Sequence, residues 1–212
     1  MVLEVQQEQA QQPLDNPDPD AVAEIIDSPW VLVRFNILFQ LIGAIALYSL
    51  VKWRTLYNAE AYLALHPVDW PTIKPWLGLA LGYIFAVQIF LIGYFSIFGP
   101  PDYSDPFEGV GFDLVYLALV LLVAPIFEEG MFRGFLFEGL RKTQLGDLGA
   151  LALPTVFWAG MHFAYLPVPI FYPVLLGFGA ILCLARLRTG SLIAPIILHS
   201  LFNFVQVVLS SF

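Results

Sequence analysis

The stretch WLGLALGYIFAVQIFLIGYFSIF, from Trp76 to Phe98, contains no Asp, Glu, Lys or Arg. It exceeds the roughly 20 apolar residues that a helix needs to cross a bilayer. The rest of the chain agrees with it: 59% of residues are hydrophobic and 12% charged. A soluble domain averages about 45–50% and 25%. With a mean hydropathy of +0.78, a soluble globular domain is excluded. The apolar stretches are continuous runs, whereas a membrane β-barrel is written in alternating segments of about ten residues. The 212 residues therefore read as one helical membrane domain.

Outward from that stretch, six apolar runs cover about 30–51, 76–98, 114–140, 150–166, 170–185 and 191–212. The expected fold is all-α: a polytopic bundle of about six transmembrane segments over 30–212, enclosing a polar cavity. The fourth and fifth runs are short and divided by Leu166-Pro167-Val168-Pro169, so a tight hairpin is an alternative to two full spans. No internal repeat is visible. Residues 1–29 combine a Gln-rich stretch with the Asp/Pro run Pro13–Asp20, which cannot bury a core, and are expected to form a disordered acidic tail. They lack the basic and apolar regions of a secretory signal. The net charge of −8 is mostly local. Glu4, Glu8, Asp15, Asp18, Asp20, Glu24 and Asp27 account for seven of these charges, leaving −1 for the rest. Nine thinly spread basic residues argue against nucleic-acid binding. The single Cys183 permits no internal disulfide and reads as packing.

Basic residues in short loops mark the cytoplasmic side of a membrane protein. Lys52, Arg54 and Lys74 follow the first run, Arg141 and Lys142 the third, Arg186 and Arg188 the fifth. The intervening loops carry none. The basic loops are thus expected in the cytoplasm, both termini on the opposite face, and the acid-rich loop Asp102–Asp113 outside. Arg34 lies near the end of its run and can snorkel to the interface.

The informative residues are those that lipid should exclude. A charged side chain within a span costs about 2.5–3.5 kcal/mol or more and needs a partner or a task. Glu128, Glu129 and Arg133 lie in the third run, His162 in the fourth, His199 and Asn203 in the last. Glu129 and Arg133 stand four apart and can pair on one helical face. Glu128 lies about 100° round the helix, which leaves one carboxylate for chemistry while its neighbour is neutralised. His199 and Asn203 are also four apart and share a face. At about 1.5 Å per residue, Glu128, His162 and Asn203 sit roughly 20 Å from the ends of their runs at the basic loops, and His199 about 14 Å, so the four converge in one layer. Pro125, Pro154 and Pro195 precede these groups; a proline frees a backbone carbonyl and kinks a helix.

Glu128-Glu129-x-x-x-Arg133, a histidine four residues after an aromatic, and His199-x-x-x-Asn203 together resemble the CPBP (Abi) intramembrane proteases. That family includes the type II CAAX prenyl endopeptidases. The resemblance covers about 114–212. The second motif usually reads FxxxH; here the aromatic is Trp158, with Phe157 beside it. The resemblance implies that Glu128 is the general base, activating a water with His162. It implies that His199 and Asn203 stabilise the oxyanion, and that Glu129 and Arg133 form the adjacent structural pair. Amide hydrolysis needs such a base and such donors.

The expected function is an intramembrane endopeptidase cutting a membrane-attached or prenylated, CAAX-like substrate near the cytoplasmic face. Its partners are that protein or peptide substrate and the lipid bilayer. The expected chemistry requires no cofactor. Zinc held by Glu128, His162 and His199 is the alternative, a metalloendopeptidase-like arrangement without the HExxH spacing. Two further readings remain: a non-catalytic scaffold or regulator of the same family, and a proton-coupled transporter.

Overall fold

The computed structural model describes residues 28–54, 58–101, 110 and 112–210. Among them there are helices and turns but no strand. The helices are α1 (Pro29–Arg54), the short α2 (Ala59–Tyr62), α3 (Trp70–Phe98), α4 (Leu114–Arg141), α5 (Gly146–Gly160), α6 (Phe171–Thr189) and α7 (Ile193–Ser210). Four of them, α1, α3, α4 and α6, are long and apolar enough to cross a membrane. The polytopic helical bundle is therefore as expected, but the six runs are not six equal spans. With 15 residues, α5 rises only about 22 Å, short of a hydrocarbon core of about 30 Å. It ends at Gly160, and a single 3₁₀ turn at Phe163–Tyr165 leads into α6. Of the fourth and fifth runs, only the fifth is thus long enough to cross, and a tight connection joins the two. The acidic tail falls almost wholly outside the described residues, as does most of the Asp102–Asp113 loop; α1 already begins at Pro29, inside the segment expected to be tail.

The bundle is apolar on its outside. Phe35, Leu38, Ile42 and Ile45 on α1, and Phe85, Ile89 and Ile92 on α3, are exposed, as lipid-facing side chains are. Only 11% of the α3 span is buried against 50% of the α6 span, so α6 is the central post and α1 and α3 are outer staves. Trp158 of α5, Phe178 and Leu182 of α6 and Leu198 of α7 form the core around that post. Close approach is built in where it is needed. A Cβ on Gly177 would stand 2.5 Å from the Tyr83 oxygen, and that hydroxyl donates to the Val174 carbonyl at 2.6 Å, fastening α3 to α6. The α6 helix stops at Gly190, whose φ of +70° suits a residue without Cβ.

A local irregularity in α4 sets the placement of its polar side chains. The backbone widens into π-helical turns at Leu119–Val123 and Gly130–Leu136. Pro125 has no N–H, so it donates neither to Leu121 in an α register nor to Val120 in a π register. Both carbonyls are satisfied by α7: Ser200 Oγ donates to Leu121 O at 2.7 Å and Asn203 Nδ2 to Val120 O at 2.8 Å. The expectation that a proline frees carbonyls beside the polar groups is realised at Pro125. At Pro195 it is not, because this residue lies in the first turn of α7, where its N–H would have no helical partner. The second π segment is pinned from α6, where buried Arg186 donates through Nε to Arg133 O at 3.1 Å and through Nη1 to Gly190 O at 2.8 Å.

Candidate active site

The adjacent acids of α4 point to different surroundings. Glu129 is fully buried, and its Oε1 accepts from Arg133 Nη1 at 2.9 Å. Arg133, also fully buried, donates through Nη2 to Gly179 O at 3.2 Å and lies 4.9 Å from the centre of the Trp158 ring. Glu128 keeps 22% of its side chain exposed and faces a cavity of about 510 Å³. The division read from the sequence, one paired acid and one open acid, is what the side chains adopt.

Glu129 does more than neutralise Arg133. The same Oε1 lies 2.8 Å from His199 Nδ1. A carboxylate already paired with a guanidinium has only lone pairs to offer, so His199 donates through Nδ1–H and its Nε2 is left toward the cavity. That Nε2 stands 4.0 Å from Glu128 Oε2. Reading Glu129 and Arg133 as a structural pair missed this bond, since helical spacing says nothing about a contact 70 residues away in the chain.

Trp158 ties the motifs together. Its indole N–H donates to Glu128 Oε2 at 2.7 Å, and its carbonyl accepts from His162 Nδ1 at 2.8 Å. Its ring meets the His199 ring edge-on at 5.5 Å. A phenylalanine could pack in the same place but could not hold the carboxylate. The one departure from the expected motif thus adds a hydrogen bond. The signal for it lies in the sequence, because an indole carries an N–H donor and a phenyl ring carries none. His162 itself is not inside a span: it follows the end of α5, and its ring Nδ1 bonds the Trp158 carbonyl of the last turn, which also accepts from Met161 N. With Nδ1 committed, Nε2 is the nitrogen free for chemistry.

Glu128, His162, His199 and Asn203 all line the same cavity, so the four residues expected to converge do so. Asn203 spends one amide N–H on Val120 O and retains the other. Among the described residues no group of three or more His, Cys, Asp or Glu is placed to hold one metal ion. Cys183 is fully buried, with the Thr155 hydroxyl 3.4 Å from its sulfur.

Residues 110–205 match the family model of the type II CAAX prenyl endopeptidase Rce1-like proteins. This segment is similar to the Rce1-like family. No curated protein and no solved structure matches the chain. The Rce1-like segment carries every residue of the three motifs and runs from just before α4 into α7; α1 and α3 lie outside it. Together with the four long apolar helices, the Rce1-like match indicates an integral membrane protein similar over residues 110–205 to a protease family.

The cavity has a direction. Besides the Rce1-like motif residues it is lined by Asn36 near the start of α1, Gln88 late in α3, Tyr116 at the start of α4 and Gln206 late in α7. It therefore extends toward the end of the bundle away from Lys52, Arg141 and Arg186.

Proposed function

We propose that this protein is an intramembrane endopeptidase that hydrolyses a peptide bond of a membrane-attached substrate with water activated by Glu128. The observation that carries the reading is the open carboxylate of Glu128 in a cavity shared with His162 and His199, on the segment that matches the Rce1-like family.

The proton positions are set by the bonds already made. Trp158 occupies Glu128 Oε2, so Oε1 is the atom that takes a proton from water. His162 keeps its own proton on Nδ1, against the Trp158 carbonyl, and offers the Nε2 lone pair to the second water hydrogen. Attack on the scissile carbonyl then forms one C–O bond and leaves the negative charge on the carbonyl oxygen. Asn203 donates its remaining N–H to that oxygen. His199 can donate from Nε2 only as the imidazolium, because Nδ1–H belongs to Glu129; the Glu129 carboxylate is then its counter-charge. Collapse breaks the C–N bond, and the proton held by Glu128 passes to the leaving amine. Such donors are worth most where water is excluded, which an apolar bundle provides.

Orientation completes the proposal. With the basic loops in the cytoplasm, the cut lies in the half of the bilayer away from them, with both termini on that side. The proposed chemistry needs no metal. A membrane-anchored reporter peptide, reconstituted with the full chain in lipid nanodiscs, tests the reading. The wild type should release the product fragment, Glu128→Gln should not, and prolonged chelation should leave the wild-type rate unchanged. An active Glu128→Gln variant would remove this residue as the base, and loss of activity to chelator with recovery on stoichiometric zinc would overturn the metal-free step.

A further inference from the structure

The buried residues of α1 are Val33, Leu47 and Val51, which are apolar, and Gln40, which is not. Gln40 is more than nine-tenths buried, and among the described residues its Oε1 has no hydrogen-bond partner. A bare amide oxygen inside a membrane bundle is costly, and chains keep such groups where something else completes them. Its surroundings follow from the way α1 runs beside α4. Val33 and Ile37 pack against Leu119 and Ala124. Further along α1, the Phe39 ring meets the Phe127 ring edge-on at 6.1 Å. A Cβ on Gly43 would stand 2.5 Å from that same ring, and Leu47 packs over Gly130. Gln40 lies between these contacts, nearly one turn before Gly43, so it meets α4 at the level of Ala124 to Glu128. Both Gln40 and Glu128 line the cavity. The carboxamide therefore stands beside the open acid, on the wall that α1 supplies from outside residues 110–205.

The chemistry of the missing partner can be narrowed. In the reaction proposed above, the water takes Glu128 Oε1 and His162 Nε2, and the carbonyl oxygen takes Asn203 and His199. The N–H of the scissile amide is left over. His199 cannot accept it, because as the imidazolium it has donors only, with Nδ1–H on Glu129. Asn203 turns its amide hydrogens to Val120 O and to the carbonyl oxygen. Yet the nitrogen must come within reach of Glu128 Oε1 to collect the proton as the C–N bond breaks. The wall beside Glu128 is thus the wall beside this N–H, and the bare acceptor on it is Gln40 Oε1. Because that oxygen makes no bond, the carboxamide can turn about its last side-chain bond without breaking one. An N–H held there would also fix where the nitrogen lone pair points as the nitrogen becomes pyramidal, aiming it at the protonated Glu128.

We propose that Gln40 Oε1 accepts the N–H of the scissile peptide bond and holds the leaving nitrogen for protonation by Glu128. At collapse the oxyanion regains its C=O double bond and the C–N electron pair goes to nitrogen. The nitrogen takes the proton from Glu128 Oε1, which restores the carboxylate. The hydrogen on Gln40 stays with the nitrogen throughout, and the amine departs with it. This deepens the endopeptidase reading and rests on it.

Two membrane-anchored reporter peptides test it with the full chain in nanodiscs. They are identical except at the bond that the wild type cuts, an amide in one and an ester in the other, so that the ester offers no N–H. Glu128→Gln serves as the blank for uncatalysed ester hydrolysis. Gln40→Met keeps the length of the side chain and removes the acceptor. Its kcat/KM should fall about tenfold on the amide, the effect of one lost hydrogen bond, and stay close to wild type on the ester. The melting temperature should hold or rise, since an apolar group replaces a buried bare polar one; Gln40→Leu provides a second variant should it fall. A loss of equal size on both reporters would make Gln40 a fastening of α1, and an unchanged amide rate would detach it from the reaction. Either result overturns the proposal while the endopeptidase reading stands. If the wild type cleaves neither reporter, the endopeptidase reading fails and the role of Gln40 falls with it.

Discussion

His199 Nδ1 and Glu129 Oε1 lie 2.8 Å apart, with the carboxylate fully buried and bonded at the same oxygen to Arg133. One acid thus joins α7 to α4 and fixes which nitrogen of His199 faces the cavity. Glu129→Gln should lower both stability and turnover. Arg133 would lose its charge partner inside the bundle, and breaking a buried pair costs about 3–5 kcal/mol. A carboxamide can also turn its NH2 toward His199 and exchange the roles of its two nitrogens. Thermal melts beside steady-state rates check this: kcat should fall further than the melt accounts for, with KM little changed. A folded variant with wild-type kcat would confine Glu129 to structure.

Trp158→Phe isolates a single hydrogen bond. The phenyl ring keeps the aromatic packing, and the backbone carbonyl that accepts from His162 is untouched. What disappears is the indole N–H on Glu128 Oε2. A hydrogen bond to a charged group contributes about 1.5–3 kcal/mol, so kcat should drop on the order of tenfold to a hundredfold with a nearly unchanged melting temperature. Full activity would mean that Glu128 needs no such restraint.

The polar layer was legible in the sequence because lipid makes it conspicuous: Glu128, Glu129, Arg133, His199 and Asn203 interrupt runs that otherwise carry little charge. Helical spacing paired Glu129 with Arg133 and His199 with Asn203 correctly as neighbours on a face. It could not reveal that Glu129 reaches His199 or that Asn203 is bonded to Val120, since both are contacts between helices far apart in the chain. The end of α5 was missed for a different reason. Met161 to Leu166 is nearly as apolar as the helix before it, so hydropathy runs straight through a point where the backbone turns. Gln40, Gln88 and Gln206 were passed over because an uncharged amide barely disturbs a hydropathy reading.

Ser200 and Asn203 separate docking from chemistry, because both bond carbonyls of the turn before Pro125. Ser200→Ala should cost about 1–3 kcal/mol through the carbonyl left short of a donor and leave kcat close to wild type. Asn203→Ala should cost a similar amount of stability and in addition reduce kcat by about 10²–10³, the usual effect of losing an oxyanion donor. Turnover measured well below both melting temperatures decides. Equal losses of rate in the two variants would reduce Asn203 to a fastening between α7 and α4.

Gly179 predicts how little room surrounds the ion pair. A Cβ there would meet Arg133 Nη2 at 3.1 Å, Thr155 Cγ2 at 3.1 Å and Trp158 Cε3 at 3.2 Å. No one neighbour can retreat without moving another, because Arg133 is held by Glu129 and by the Gly179 carbonyl itself. Overpacking of this kind costs about 1–3 kcal/mol. Gly179→Ala should therefore lower the melting temperature and, by displacing Trp158 with its bond to Glu128, lower kcat as well. Gly82 is the control, since a Cβ there meets nothing within 4 Å. Gly82→Ala should match or exceed the wild type in stability, as an alanine in a helix usually does, with activity unchanged. A Gly179→Ala protein that melts and turns over like the Gly82→Ala protein would show that the packing around Arg133 yields more readily than these distances allow.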